Sequence, residues 1–520
     1  MFTEVERKYD VPEGFSADLV GAGVPAVRAV SPPVTRELNA IYFDTADLRL
    51  ASAGVTLRRR SGGADDGWHL KLPAGPLRGA EPDTRLELRE PLGRAIRTVP
   101  PRVAALVRAY TRGRPLRPVA TLATVRRERE LRGDGGQVLA TLVEDQVTGT
   151  ITGTVAGRAA VEVAWREVEL ELVGGDVALL DALDARLTGD GATRAGAASK
   201  LGRLLGDRVP DRWPGTRPAR KGGPAGAAVL AALRGQVEAL VAWDPLVRAD
   251  EPDAVHQMRV TTRRLRALLK VYGPLLADRE IVETAGTVRA ELAWLAEVLG
   301  EARDLEVLRG QLAERIAALP PELVRGDIAG WVDTTLAARR GRAHAAVVAA
   351  LESPRHRDLL DTLVALCMAE PGTAEPDPGP PARSALPAAV DRAWRRAGRA
   401  VEAARAAPAA ERGPAWHEVR KAAKRVRYAT EAAGPVLGRR GREQADRFLR
   451  GLRRLQDALG AGQDNRLLAG AVLELADAAV AEGQDAFTLG VLAAGASAQD
   501  TAAAPVKAWR RATRGYPSWR

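Results

Sequence analysis

Up to about residue 206, apolar and polar residues alternate in short runs, the period of a strand with one wet and one buried face. The opening MFTEVERKYD sets Glu4, Glu6 and Lys8 on one side and Val5 and Tyr9 on the other. VTLRRR does the same with Arg58 and Arg60 against Leu57 and Arg59, and WHLKLP with His69 and Lys71 against Leu70 and Leu72. LATVRRERELR carries Arg126, Arg127 and Arg129, and TLVEDQV carries Glu144 and Asp145. WREVELEL aligns Glu167, Glu169 and Glu171 opposite Val168, Leu170 and Leu172. Beyond Gly206 the apolar spacing becomes helical, in Ala/Leu/Arg-rich stretches.

Two Pro/Gly-rich breaks without periodicity interrupt the pattern, at about 206–226 and 371–382. The expected organisation is α+β and multidomain. A β-rich domain spans 1–206, a linker 207–223 and an all-α region 224–515, the last split into halves of about 224–370 and 383–515.

Composition narrows the chemistry. The net charge of +11 favours polyanionic partners: nucleic acid, polyphosphate, nucleotides or an anionic surface. A single cysteine, Cys367, excludes a disulfide framework and a cysteine-based zinc site. Charges begin at Glu4, leaving no apolar run for a signal peptide, and no stretch reads as long enough to span a membrane, so a cytoplasmic protein is expected.

The charges of the first domain are sorted. Acidic pairs fall in the first and a late strand, basic pairs in the middle ones. In a closed barrel with this face inward, a carboxylate metal site would lie beside a ring of Arg and Lys, a lumen suited to a metal–polyphosphate substrate.

EVERK, followed in order by YFDT, LRRR, WHLKLP, ELEL and SKLGRLL, resembles the ExExK signature and later motifs of CYTH domains, the triphosphate tunnel metalloenzymes. The resemblance implies an eight-stranded antiparallel tunnel that hydrolyses or cyclises a triphosphate with Mg²⁺ or Mn²⁺. It implies Glu4, Glu6, Glu169 and Glu171 as metal ligands, with Asp145 beside them. Lys8, Arg58, Arg60, Lys71, Arg126 and Lys200 would hold phosphate, and Lys8 and Tyr42 match a pair that helps activate water. Two registers stay open: Arg126 pairs with Arg127 or with Arg129, Val125 standing where a basic residue is expected, and Glu167 competes with Glu171 for the metal.

The helical region contains a repeat. VHQMRVTTRRLRALLK carries His256, Arg259, Arg263, Arg264, Arg266 and Lys270; WHEVRKAAKRVRYATEA carries His417, Arg420, Lys424, Arg425 and Arg427. Offsets of 3, 7, 8 and 10 residues from the histidine recur in both, and Leu299-Gly300…Asp304 recurs as Leu459-Gly460…Asp464. At roughly 100° per residue, His256, Arg259, Arg263, Arg266 and Lys270 form one stripe, leaving Met258, Leu265, Leu268 and Leu269 for a core. The two aspartates offer salt-bridge partners across each bundle and leave several cations for a linear polyanion. These motifs resemble the CHAD domain, which implies two similar bundles gripping polyphosphate in a shared basic groove, the histidines at its lip. The stretch 341–360, with Arg342, His344, Arg355 and Arg357, would extend that surface. Few aromatics interleave the cations, Tyr428 being the one inside the second stripe, which disfavours nucleic acid.

The expected function is metal-dependent hydrolysis of inorganic triphosphate to pyrophosphate and phosphate, with polyphosphate binding by the helical half. The alternatives are an adenylate cyclase, a nucleoside or thiamine triphosphatase, and a non-catalytic polyphosphate-binding protein.

Overall fold

The computed structural model describes residues 1–17, 20–21, 23–74, 83–94, 98–152, 161–210, 222–276, 279–368, 379–497 and 503–519, side chains 279–281, 461–467, 496–497 and 503–504 excepted. Much of both sequence breaks, and the Asp464 side chain, lie outside the described residues. The chain divides into two compact units, Met1–Gly215 with Val241–Glu251, and Thr216–Leu240 with Pro252–Arg520.

The alternating segments of the first unit become eight long strands: β1 (Phe2–Asp10), β2 (Val34–Asp44), β3 (Thr56–Ser61), β4 (Gly67–Pro73), β5 (Thr84–Glu90), β6 (Arg117–Arg132), β7 (Val138–Ile151) and β8 (Glu162–Leu172). They pair antiparallel in the order β1-β5-β4-β3-β2-β6-β7-β8, and β8 returns to β1, closing a barrel. Closure leaves these strands without a free edge and forces one face of each inward. Register then places the charges in rows: Glu6 opposite Glu171 and Lys8 opposite Glu169 between β1 and β8, Arg126 opposite Asp145 between β6 and β7. At the end of β3, Gly62 has φ +98° and an added Cβ would lie 2.1 Å from the Glu37 carbonyl oxygen, so that turn admits only glycine.

Outside the barrel, Tyr9, Leu142, Val168 and Leu170 pack against Leu179, Leu183 and Leu187 of helix α1 (Val177–Gly189). The short helix α2 (Lys200–Leu205) packs on the inward face instead. Its Leu201, Leu204 and Leu205 join Tyr42, Leu122, Val147 and Ile151, so apolar side chains plug the lumen there. Ser199 caps α2 by accepting from the Gly202 N–H at 3.0 Å, which fixes where Lys200 enters the lumen.

The second unit is helical. Its first helix is α3 (Ala225–Arg248), whose last residues fall in the first unit; α4 (Ala254–Tyr272), α5 (Arg279–Ala317), α6 (Ile328–Glu352) and α7 (Pro354–Met368) complete the first half. The second half has α8 (Ala382–Ala406), α9 (Ala409–Ala433), α10 (Arg439–Ala481), α11 (Phe487–Ser497) and α12 (Ala503–Arg514). The repeated motifs form α4 and α9, which pack on each other. The buried Tyr272 hydroxyl donates to the Ala429 carbonyl at 2.7 Å, tying the halves together.

One expectation is corrected here. Among the described residues, α3 is long and apolar enough to cross a membrane, with a mean hydropathy of 1.4 over its most apolar window, half of which is buried. The charges that break it up in the sequence include Asp244 and Arg248, which pair at 2.5 Å within the helix.

Candidate active site and anion groove

Alternation aims side chains from strands all around the barrel, with Lys200 from α2, at a cavity of about 270 Å³. Its lining includes Glu4, Glu6, Lys8, Tyr42, Arg58 and Arg60, and also Lys71, Arg126, Glu169, Glu171 and Lys200. Sequence reasoning passed over Arg36, Arg85, Glu87 and Arg89, which line it too. The alternation in TRLELRE, with Arg85, Glu87 and Arg89 in phase, is the signal that would have found three of them.

The carboxylates form two groups. Oxygens of Glu4, Glu6 and Glu171 lie within 4.8 Å of one another, as do those of Asp145, Glu167 and Glu169. Cations already occupy the second group. Lys200 Nζ stands 2.9 Å from Asp145, 2.7 Å from Glu167 and 2.7 Å from Glu169. Arg126 grips Asp145 through two N–H groups at 2.9 and 2.7 Å and reaches Glu169 at 3.0 Å. Burial raises the Glu169 pKa, but Lys200, Lys8 and Arg126 outweigh it and hold the group well below the carboxylate range.

The first group is less satisfied. Lys71 reaches Glu4 at 2.5 Å and Glu6 at 3.4 Å, while Lys8 bridges Glu6 at 2.8 Å and Glu169. Burial pushes Glu6 up, yet Lys8 and Lys71 bring it down to about 2. Glu171 makes no ion pair among the described residues, and burial and the Glu169 charge push its pKa up. Three oxygen donors with a carboxylate short of positive charge fit a hard divalent cation. Glu4, Glu6 and Glu171 would hold it, and once bound it would neutralise phosphoryl oxygens.

The open registers close. Arg126 faces the lumen, while Arg127 and Val125 are exposed and Arg129 lies on the opposite face, 2.5 Å from Glu144. Glu167, Glu169 and Glu171 all point inward, with Glu167 on Lys200 and Glu171 beside Glu4 and Glu6. Tyr42 accepts from Arg58 at 3.3 Å and makes no hydrogen bond to Lys8 among the described residues. Burial, Arg58 and Arg126 lower the Arg60 pKa to about 9, marking a crowded basic wall.

In the helical unit, α4, α5 and α9 enclose a second cavity of about 440 Å³. Arg263, Arg266 and Lys270 reach it from α4, Lys421, Lys424 and Arg425 from α9, and among the described residues no carboxylate lines it. Arg289 of α5 adds a seventh cation that the repeat did not reveal. Among the described residues Arg263, Arg266, Lys270, Arg289 and Lys424 have no ion-pair partner, and the buried Arg263 Nε has no hydrogen-bond acceptor. Burial together with Arg263, Arg420, Arg427 and Arg259 brings the Lys424 pKa down to about 8.

Other basic residues lie elsewhere. Arg259 is held by Asp304 at 2.6 Å, as the first LG…D motif suggested. Arg264 reaches Glu431 at 3.5 Å and Arg427 reaches it at 3.7 Å. His256 and His417 are half-buried and do not line the cavity, nor does Arg420. In the 341–360 stretch, Arg355 is paired with Glu291 at 2.6 Å and Arg357 with Asp358 at 3.0 Å, so neither adds an unpaired cation.

The CYTH-domain profile matches residues 3–203 and the CHAD-domain profile residues 231–473. An uncharacterised protein of Mycobacterium tuberculosis is 39% identical over 503 residues, covering 94% of this chain and 92% of its own. The chain is a CYTH–CHAD fusion protein. The CYTH–CHAD protein is also similar to the CHAD domain of the plant Ricinus communis, at 22% identity and a TM-score of 0.43, covering 58% of this chain and 96% of that one. A Hippeastrum protein described as an adenylyl cyclase with a dominant triphosphatase activity is 17% identical with a TM-score of 0.24, covering 41% of this chain and 98% of that one. CYTH tunnel enzymes depend on metal and act as triphosphatases or cyclases.

Proposed function

We propose that the tunnel hydrolyses inorganic triphosphate with Mg²⁺ or Mn²⁺, and that the basic groove of the helical unit binds inorganic polyphosphate. The observation carrying the first half is the lining: three clustered carboxylates face a dense set of Arg and Lys, and among the described residues Leu38, Tyr42 and Ala64 are the only apolar side chains that line it. Nucleotide sites are mostly apolar with a few polar groups. This lumen is the reverse and suits a substrate that is phosphate throughout. Lys8, Arg58, Arg60, Lys71, Arg126 and Lys200 orient the chain and stabilise charge on the transferred phosphoryl group, leaving water as the acceptor.

Phosphate release from triphosphate and from ATP, with and without each metal, is the test. Metal-dependent release favouring triphosphate is expected, and chelation with EDTA abolishes it. Cyclic AMP formed from ATP would replace this reading by a cyclase, and no turnover of either substrate in protein that retains polyphosphate would leave only a binder.

The groove supports the second half through its unpaired cations, whose counterions a linear polyanion would displace. Lys424 supplies a pH signature. Its free-state pKa of about 8 is below the ordinary lysine value, and a bound polyanion restores it, so binding takes up a proton above pH 8. Polyphosphate affinity should therefore fall about tenfold between pH 7 and 9. Titrations in buffers of different ionisation heat would count the proton. No uptake at pH 8.5 would remove Lys424 from the binding surface.

A further inference from the structure

Duplication places each groove residue opposite a counterpart in the other copy, and the counterparts differ. Lys270 follows His256 by the same fourteen positions that separate Glu431 from His417. Lys421 follows His417 by four, where the first copy has Val260. Arg289 precedes Gly300 by eleven residues, as Leu449 precedes Gly460, and Leu449 is buried. At these positions three cations of one side become a carboxylate and two apolar residues on the other, while Ala290 and Ala293 of the groove correspond to Arg450 and Arg453.

The consequence is visible in the contacts. Glu431 lies 3.5 Å from Arg264 and 3.7 Å from Arg427, and these two guanidiniums cover the Tyr428 ring at 5.6 and 4.8 Å from its centroid. Tyr428 stands where the first copy has Ala267, part of the small-residue floor of the groove with Gly286, Ala290 and Ala293. One side of the α4–α9 crossing is an open cavity with seven cations, of which Lys421 is paired with Glu418, and on the related side Glu431 lies between Arg264 and Arg427.

We infer that the α4–α9 pair binds its polyanion on one side only, the Lys270 side, and that Glu431 closes the pseudo-symmetric side to phosphate. This rests on the polyphosphate reading given above. Arg264 and Arg427, although part of the repeated basic motif, then act as structural cations paired with Glu431 rather than as phosphate contacts. Lys270 and Arg289, neither of which has an ion-pair partner among the described residues, are the residues that give the groove its side.

The test compares Lys270→Gln with Glu431→Gln in the full chain, titrated with inorganic polyphosphate of defined length at 0.15 M salt, where charges beyond about 8 Å are largely screened. A two-sided mode gives opposite effects, the first variant weakening and the second tightening by similar factors. The one-sided mode gives about fivefold weaker binding for Lys270→Gln, with a shallower salt dependence, and less than about twofold change for Glu431→Gln. A Glu431→Gln gain of fivefold or more overturns the inference. Should that variant not fold, Arg264→Gln with Arg427→Gln is the substitute, and a fivefold loss there overturns it equally. The tunnel is the same in every variant, so its own affinity cancels. Wild-type protein that retains no polyphosphate would overturn the parent reading, an outcome distinct from equal and opposite effects in protein that does bind.

Discussion

Changing Glu4 and Glu6 together to Gln is expected to lower metal-dependent phosphate release from triphosphate by about a thousandfold while leaving polyphosphate retention unchanged. Both carboxylates belong to the cluster completed by Glu171, and neutral amides are poor ligands for a hard divalent cation. Substrate should still bind, because removing two negative charges leaves Arg58, Arg60, Arg126 and Lys200 facing the same cavity. The signature is retained triphosphate binding without turnover. Lys71 loses both its carboxylate partners, whereas Lys8 keeps Glu169, so thermal melting should report a modest loss rather than collapse. Turnover at wild-type rate would remove these residues from the site. Loss of polyphosphate retention in folded protein would dissolve the division of labour.

Arg263→Ala with Lys424→Ala should have the converse effect. Polyphosphate affinity at 0.15 M salt is expected to fall by about an order of magnitude, and the slope of log affinity against log salt to shrink by about 1.5, while the tunnel reaction is untouched. The pair is chosen because both groups line the groove with no carboxylate partner among the described residues, whereas Arg259 is already held by Asp304. Stability should move the other way. Burial and surrounding cations depress the Lys424 pKa, so below about pH 8 its charged form opposes folding, and stability rises as pH climbs from there toward the ordinary lysine value. Removing the charge relieves that cost, and the melting temperature should hold or increase at pH 7. A fall in melting temperature with unchanged affinity would show these side chains to be structural.

The barrel was legible because a strand has a period of two: once Glu4, Glu6 and Lys8 share a face, closure decides that the face is inside. Side-chain partners were not legible. Whether Arg127 or Arg129 joins Arg126 in the lumen depends on register against β7, which pairs Arg126 with Asp145, leaves both of the others outside and is set by contacts far away in sequence. The sequence also grouped Glu169 with Glu4, Glu6 and Glu171; the structure sets Glu169 between Lys8, Arg126 and Lys200, because α2 delivers Lys200 to that end of the lumen. In the helical unit the repeat identified the two basic helices, but not Arg289, which lies outside both motifs, nor the pairing of Glu431 with Arg264 and Arg427.

The packing of α4 on α9 joins the same element of two repeats, the self-complementary arrangement that a two-fold dimer uses. In a dimer of identical chains every substitution appears twice, so a lysine on one side of the axis demands a lysine on the other. Covalent fusion lifts that constraint and makes the partner permanent at any concentration. A position filled by Lys270 in one copy and Glu431 in the other is a form of asymmetry that only a fused pair can encode in its own sequence.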